Sequence, residues 1–140
     1  MERFRKLIAK IPTGLISGLT IALILWLTLA PHPAGDIQLP LIPGADKVIH
    51  MVMFGFLTFV VLLEWMKHRR WAMLPLPLVG AVSIACALFG LGDELVQRAM
   101  GLGREFETLD ILADTAGAIA AGGIWAMVQK LFADNSDASA

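Results

Sequence analysis

Charge is scarce in this sequence. Asp, Glu, Lys and Arg make up only 16% of its 140 residues, where a soluble domain carries about a quarter. Cysteine is almost missing. The single Cys86 lies in an apolar run, which excludes an intrachain disulfide framework and a cysteine-based metal site. It reads as a small packing residue. There is no phosphate loop and no nucleotide fingerprint, so nucleotide chemistry has no anchor. Ser17, Ser83 and Thr115 lack a convincing base partner, although Thr115 lies beside Asp114. The basic residues form no stripe that would track a nucleic acid.

What is present is oil in long blocks. The chain is 57% hydrophobic, with a mean hydropathy of +0.72. Four runs, at about 13–30, 47–66, 73–92 (extending to about 98) and 109–132, approach or exceed the length that crosses roughly 30 Å of hydrocarbon. A domain this small has no interior in which to hide four such helices. The expected fold is all-α: an integral membrane bundle of four transmembrane helices. It forms a single domain over residues 1–132, and a disordered tail follows at 133–140. Arg3, Arg5, Lys6 and Lys10 precede the first run, as the n-region of a signal peptide would. The length of the run and Pro31 directly after it favour a retained helix.

Lys and Arg sort by side. Eight of the eleven fall in the N-terminal tail, in "KHRR" between runs two and three, or at Lys130; Lys47, Arg98 and Arg104 fall opposite. The positive-inside rule then places both termini in the cytoplasm, in a multi-pass protein of the bacterial cytoplasmic membrane. Trp65, Trp71 and Trp125 fall near the inner interface and Trp26 near the outer one, as an aromatic belt requires. The acids show the reverse bias, with eight of twelve on or near the outer side. Residues 31–46 hold four prolines and should form a stiff outer cap, while 98–108 should form a glycine turn. Small residues recur at four-residue spacing in the last run, at Ala113, Gly117 and Ala121 and again at Ala118, Gly122 and Ala126. Backbones can approach closely there, so the last helix should be central. Gly14 and Gly18 offer a comparable seam for a homo-oligomer.

The polar residues gather at the outer helix ends. Asp46, Lys47 and His50 open the second run. Asp93, Glu94 and Gln97 close the third. Arg104 lies in the turn, and Asp110 and Asp114 open the fourth run. Residues three or four apart share a helix face, so Asp46 pairs in direction with His50, Glu94 with Gln97, and Asp110 with Asp114. Ionisable groups within a membrane segment normally face the bundle interior and partner one another. These nine residues are therefore the candidate ligand-binding set, around a pocket open to the outside.

The same residues resemble a family pattern. "DKVIH", "DELVQ", Arg104, Asp110 and "DTAG", in that order, together with "LTLAPHP" at the end of the first run, are similar to the VanZ-like membrane proteins. The resemblance covers about Leu25 to Gly123 and matches at Asp46, Lys47, His50, Asp93, Glu94, Gln97, Arg104, Asp110 and Gly117. It departs at Asp114, where the family more often has asparagine. The resemblance implies a cell-envelope protein whose namesake is associated with resistance to the glycopeptide teicoplanin.

Three functions fit the constellation. In the first, the pocket binds a lipid headgroup or lipid-linked precursor, with Arg104 and Lys47 on a phosphate. In the second it is an enzyme acting on a lipid phosphoester, with His50, Glu94 and Asp110 as candidate catalytic residues. His50, Glu94, Asp110 and Asp114 would then be candidate ligands of a divalent cation, or His50 a metal-free base oriented by Asp46. In the third the polar groups are a latch that ties helix ends together.

Overall fold

The apolar runs fold as helices. The computed structural model describes residues 2–30, 44–101 and 107–137. Among these residues there are five helices and no strand: α1 (Glu2–Ala9), α2 (Leu15–Leu29), α3 (Ala45–His68), α4 (Leu76–Met100) and α5 (Thr108–Asp137). Of the expected cap over 31–46, residues 31–43 lie outside the described residues and Ala45 and Asp46 already belong to α3; of the expected turn over 98–108, residues 102–106, Arg104 among them, lie outside, and 98–100 still belong to α4.

Helices α3, α4 and α5 have 24, 25 and 30 residues and are long and apolar enough to cross a membrane. The first expected span is shorter than its apolar run. Helix α2 has 15 residues, or about 22 Å of helix, less than the roughly 30 Å of a bilayer core. Two features differ from expectation. The basic N-terminal segment forms a helix of its own, α1, with the Arg5 guanidinium 5.6 Å from the Trp71 ring centroid. Helix α5 runs to Asp137, into the stretch expected to be a disordered tail.

Local chemistry explains the helix boundaries. Gly44 before α3 and Gly101 after α4 take left-handed φ values of +82° and +60°, where glycine carries no Cβ penalty. Pro75 and Pro77 sit at the start of α4, where no intrahelical N–H is lost. Helix α2 has no side-chain cap of its own. Its free N-terminal donors are taken by Glu64 of α3, which accepts from Ile16 N–H at 3.1 Å and from the Ser17 hydroxyl at 2.6 Å. Glu64 is buried, so an acid supplied by a neighbouring helix replaces the missing cap and complements the helix dipole.

Those contacts also set the topology. The start of α2 meets the end of α3, through Glu64. The end of α2 meets the last third of α4, through Thr28 and Asp93. The start of α3 meets the start of α5, through His50 and Asp114. At the other end Gln129 of α5 accepts from Leu74 N–H at 2.7 Å and donates to Leu74 C=O at 3.2 Å. Helices α2 and α4 therefore run one way, and α3 and α5 the other. The start of α2 and the end of α5 lie at the same end of the bundle.

Helix α5 is central, as its small residues require. It packs more extensively on α3 and on α4 than those two pack on each other. A Cβ at Gly117 would lie 2.0 Å from the Met51 carbonyl oxygen of α3, and one at Gly122 would lie 2.1 Å from Ser83 Oγ of α4. The core is Phe54, Leu57, Leu62, Ile24, Val79 and Ala118. Interior hydroxyls of Thr20, Thr58 and Ser83 donate to the carbonyl four residues back, which keeps them satisfied without water. Leu19, Leu23, Val52, Phe56, Ile84, Leu88, Leu112 and Ile119 point outward and are exposed. Such a surface would be a liability in water; against acyl chains it is the required solvent-facing side. The chain is a membrane protein.

Candidate functional site

Four helix ends meet at one end of the bundle: the ends of α2 and α4 and the starts of α3 and α5. The polar residues picked out in the sequence gather there in two layers.

The shallow layer is built around Lys47. Its ammonium lies 2.7 Å from Asp46 Oδ2 and 2.5 Å from Asp110 Oδ1, and it also contacts Glu107 Oε2. Asp46 and Glu107 are more than half exposed, whereas Asp110 is 14% exposed. Water screens the first two pairs, so they hold the helices together only weakly. The Lys47–Asp110 pair is the drier one and joins α3 to α5. Asp46, Glu107 and Asp110 have carboxylate oxygens within 4.8 Å of one another. Among the described residues this is the only acid or imidazole set drawn that closely, and the Lys47 ammonium bridges it. The expected cation quartet of His50, Glu94, Asp110 and Asp114 is not drawn so tightly together.

The deep layer is buried. Asp93 and Glu94 are each 3% exposed and Asp114 2%. His50 Nδ1 lies 3.0 Å from Asp114 Oδ1. The partner of the imidazole is therefore Asp114 across the α3–α5 interface. Asp46, its neighbour on the same helix face, turns to Lys47 instead. Asp93 receives Gln97 Nε2 at 3.2 Å, and its other oxygen lies 3.1 Å from Thr28 Oγ1. Glu94 Oε1 accepts the Glu107 backbone N–H at 2.9 Å, which anchors the lead-in to α5. Glu94 Oε2 is buried and, among the described residues, has no hydrogen-bond partner. Gly90 makes this layer possible. A Cβ there would meet Asp114 at 2.8 Å and Phe54 at 3.1 Å, so only a glycine lets Asp114 lie against α4.

Eight of the nine expected site residues are thus brought to one place: Asp46, Lys47 and Asp110 in the shallow layer, and His50, Asp93, Glu94, Gln97 and Asp114 in the deep one. Arg104, the ninth, lies outside the described residues. Three further participants were not expected. Thr28 shares a buried stripe with Thr20 and Ile24 at four-residue spacing, a signal visible in the sequence. Gly90 lies one turn before Asp93 and Glu94. Glu107 directly precedes α5, where an acid complements the dipole.

The charge balance limits what this site can hold. Among the described residues, the six carboxyls of Asp46, Asp93, Glu94, Glu107, Asp110 and Asp114 share this end of the bundle with Lys47, Arg98 and one imidazole. An anion would meet a surplus of carboxyls. A group that donates hydrogen bonds or brings positive charge would meet matching partners.

The sequence model of the VanZ/LLP1 family matches residues 3–129, nearly the full length. Neither the curated proteins nor the solved structures gave a match.

Proposed function

The chain belongs to the VanZ/LLP1 family, and on that premise we propose that it is a cell-envelope protein that holds a lipid headgroup or the head of a lipid-linked ligand in its outer polar cluster. The observation that carries this reading is Glu94 Oε2, a buried carboxylate oxygen with no hydrogen-bond partner among the described residues. A buried acceptor left unpaired costs about 1–3 kcal/mol, and a ligand's donor would remove that cost. The surrounding acids specify the donor as a cationic one. A zwitterionic headgroup fits best, with its amine on Glu94. Lys47 is not the phosphate anchor in this reading, because three carboxylates already hold it. It serves as a latch between α3 and α5. The association of the family's namesake with teicoplanin resistance makes glycopeptide susceptibility the cellular readout for a lipid-linked ligand.

Native mass spectrometry tests the proposal. The protein is titrated in mild detergent with phosphatidylethanolamine, and the same titration is repeated on Glu94→Gln. The amide keeps an acceptor for the Glu107 N–H while it removes the charge. A several-fold loss of bound phosphatidylethanolamine in Glu94→Gln is expected, with melting unchanged. Equal binding by the two proteins would sink the reading.

A second reading rests on the His50–Asp114 contact. A carboxylate on one imidazole nitrogen orients the other, which is how a general base is prepared. His50 would then activate water against a lipid phosphoester. Phosphate release from lipid substrates that is abolished by His50→Ala is the outcome this reading requires.

A further inference from the structure

The opposite end of the bundle holds a cavity of about 380 Å³ between α3 and α5, within the range that accommodates small ligands. Its wall is apolar, with Phe59 and Leu63 on one side and Ile124 on the other. Trp125 lines it and stands edge-on to Phe59 at 5.4 Å. The Trp125 indole N–H is buried and has no hydrogen-bond partner among the described residues, although such donors are normally satisfied. Arg5 and Trp71 also line the cavity, with the guanidinium over the ring. Trp71 takes a φ of +67° and Arg70 one of +55°. A bulky residue in the left-handed region is strained, and strain of this kind gathers at functional positions. Here it sets the Trp71 ring beside the cavity and beneath Arg5.

Charge identifies the occupant. Arg69 and Arg70 precede Trp71 in the same turn, and Lys130 follows Gln129 of the lining. The acids of the helices at this end are Glu64, engaged with α2, and Glu2, Asp134 and Asp137 at the helix termini, against eight Lys and Arg. An apolar slot with an unpaired donor inside and a basic rim matches a molecule with a hydrocarbon chain, an ester carbonyl and an anionic head. We infer that the cavity is a binding site for one acyl chain of an anionic phospholipid, with its phosphate on Arg5 and an ester carbonyl oxygen accepting from Trp125. The site is independent of the polar cluster at the other end.

Brominated lipids give the test. The full chain is reconstituted in phosphatidylcholine vesicles that contain phosphatidylglycerol brominated on its acyl chains, and tryptophan fluorescence is read. The difference between wild type and Trp125→Phe isolates the Trp125 signal. Brominated phosphatidylglycerol is expected to quench that signal at a several-fold lower mole fraction than brominated phosphatidylcholine. Arg5→Ala should abolish the preference, and Arg5→Lys should restore most of it. Equal quenching by the two lipids, or a preference that survives Arg5→Ala, overturns the inference. Native mass spectrometry decides the same point without Trp125→Phe. One firmly retained phosphatidylglycerol per wild-type chain and none on Arg5→Ala is the expected pair. Identical adducts on both overturn it.

Discussion

Lys47 and Glu94 show how differently two charged residues of one cluster can be used. Lys47 has three carboxylate partners, and Glu94 has one oxygen with none among the described residues. The three carboxyls around Lys47 are spaced as a cation site, with an ammonium in place of the ion. Replacing that ammonium should therefore do two things. Lys47→Met leaves Asp110, which is mostly buried, without its counter-charge, and should destabilise the protein by about 1–3 kcal/mol. It also vacates the site. Millimolar Ca²⁺ or Mg²⁺ should then raise the melting temperature of Lys47→Met and leave the wild type unmoved. A free ion at ten times its Kd contributes about 1.4 kcal/mol. Thermal melts in detergent, with and without the ion and at matched ionic strength, check this. The same shift in both proteins would mean that Lys47 is not the resident cation. The sequence showed that Asp46, Lys47 and Asp110 belong together. It did not show that His50 partners Asp114, because that depends on the relative rotation of two parallel helices. Four-residue spacing reports only what shares a face on one helix, so Asp46 looked like the closer partner for the imidazole.

Among elements, α5 carries the most consequence for the least side chain. Its glycines are not equivalent. A methyl at Gly117 would strike the α3 backbone at Met51, which has no flexible end to swing aside. A methyl at Gly123, six residues on, would meet nothing within 4 Å. Gly117→Ala should therefore force α3 and α5 apart at the level of the His50–Asp114 contact, at a cost of about 1–3 kcal/mol or more. Gly123→Ala should be neutral or should stabilise by up to about 1 kcal/mol through helix propensity. Unfolding in detergent measures both. Comparable effects at the two positions would contradict the close α3–α5 approach. The central place of α5 was legible in its small-residue stripes, since lack of bulk on much of a circumference leaves little else for a membrane helix to do. The Glu64 cap on α2 was not. A lone acid near the end of an apolar run reads as interfacial. Only the fold reveals that α2 starts on a glycine with no side-chain cap, so that its first amides need an acceptor from elsewhere. Helix α1 escaped notice for a related reason. Eight residues rich in charge read as a flank for orientation, and their helical packing on Trp71 depends on the later turn.

At the scale of the whole molecule, the apolar runs were enough to place the helices, because hydrocarbon leaves the backbone few other choices. The paired ends follow from the contacts: the start of α2 and the end of α5 share one end of the bundle, and the polar cluster occupies the other. Which end faces the cytoplasm depends on charge alone. Arg69, Arg70 and Lys130 lie at the first end together with the basic N-terminal helix, so that end should be cytoplasmic. The single native cysteine allows a direct check. Cys86 is 6% exposed and lies mid-helix in α4; Cys86→Ala removes it from consideration. On that background, Glu107→Cys, at an exposed position before α5, should react with an impermeant maleimide in intact cells. Arg69→Cys should react only after the membrane is opened. The reverse labelling would turn the acidic cluster toward the cytoplasm. A lipid-linked wall precursor displayed outside could then no longer be its ligand, and the basic cavity at the other end would face the wrong leaflet for the anionic lipids that a cytoplasmic surface supplies. Both proposed sites thus depend on the same orientation, although they share no residue.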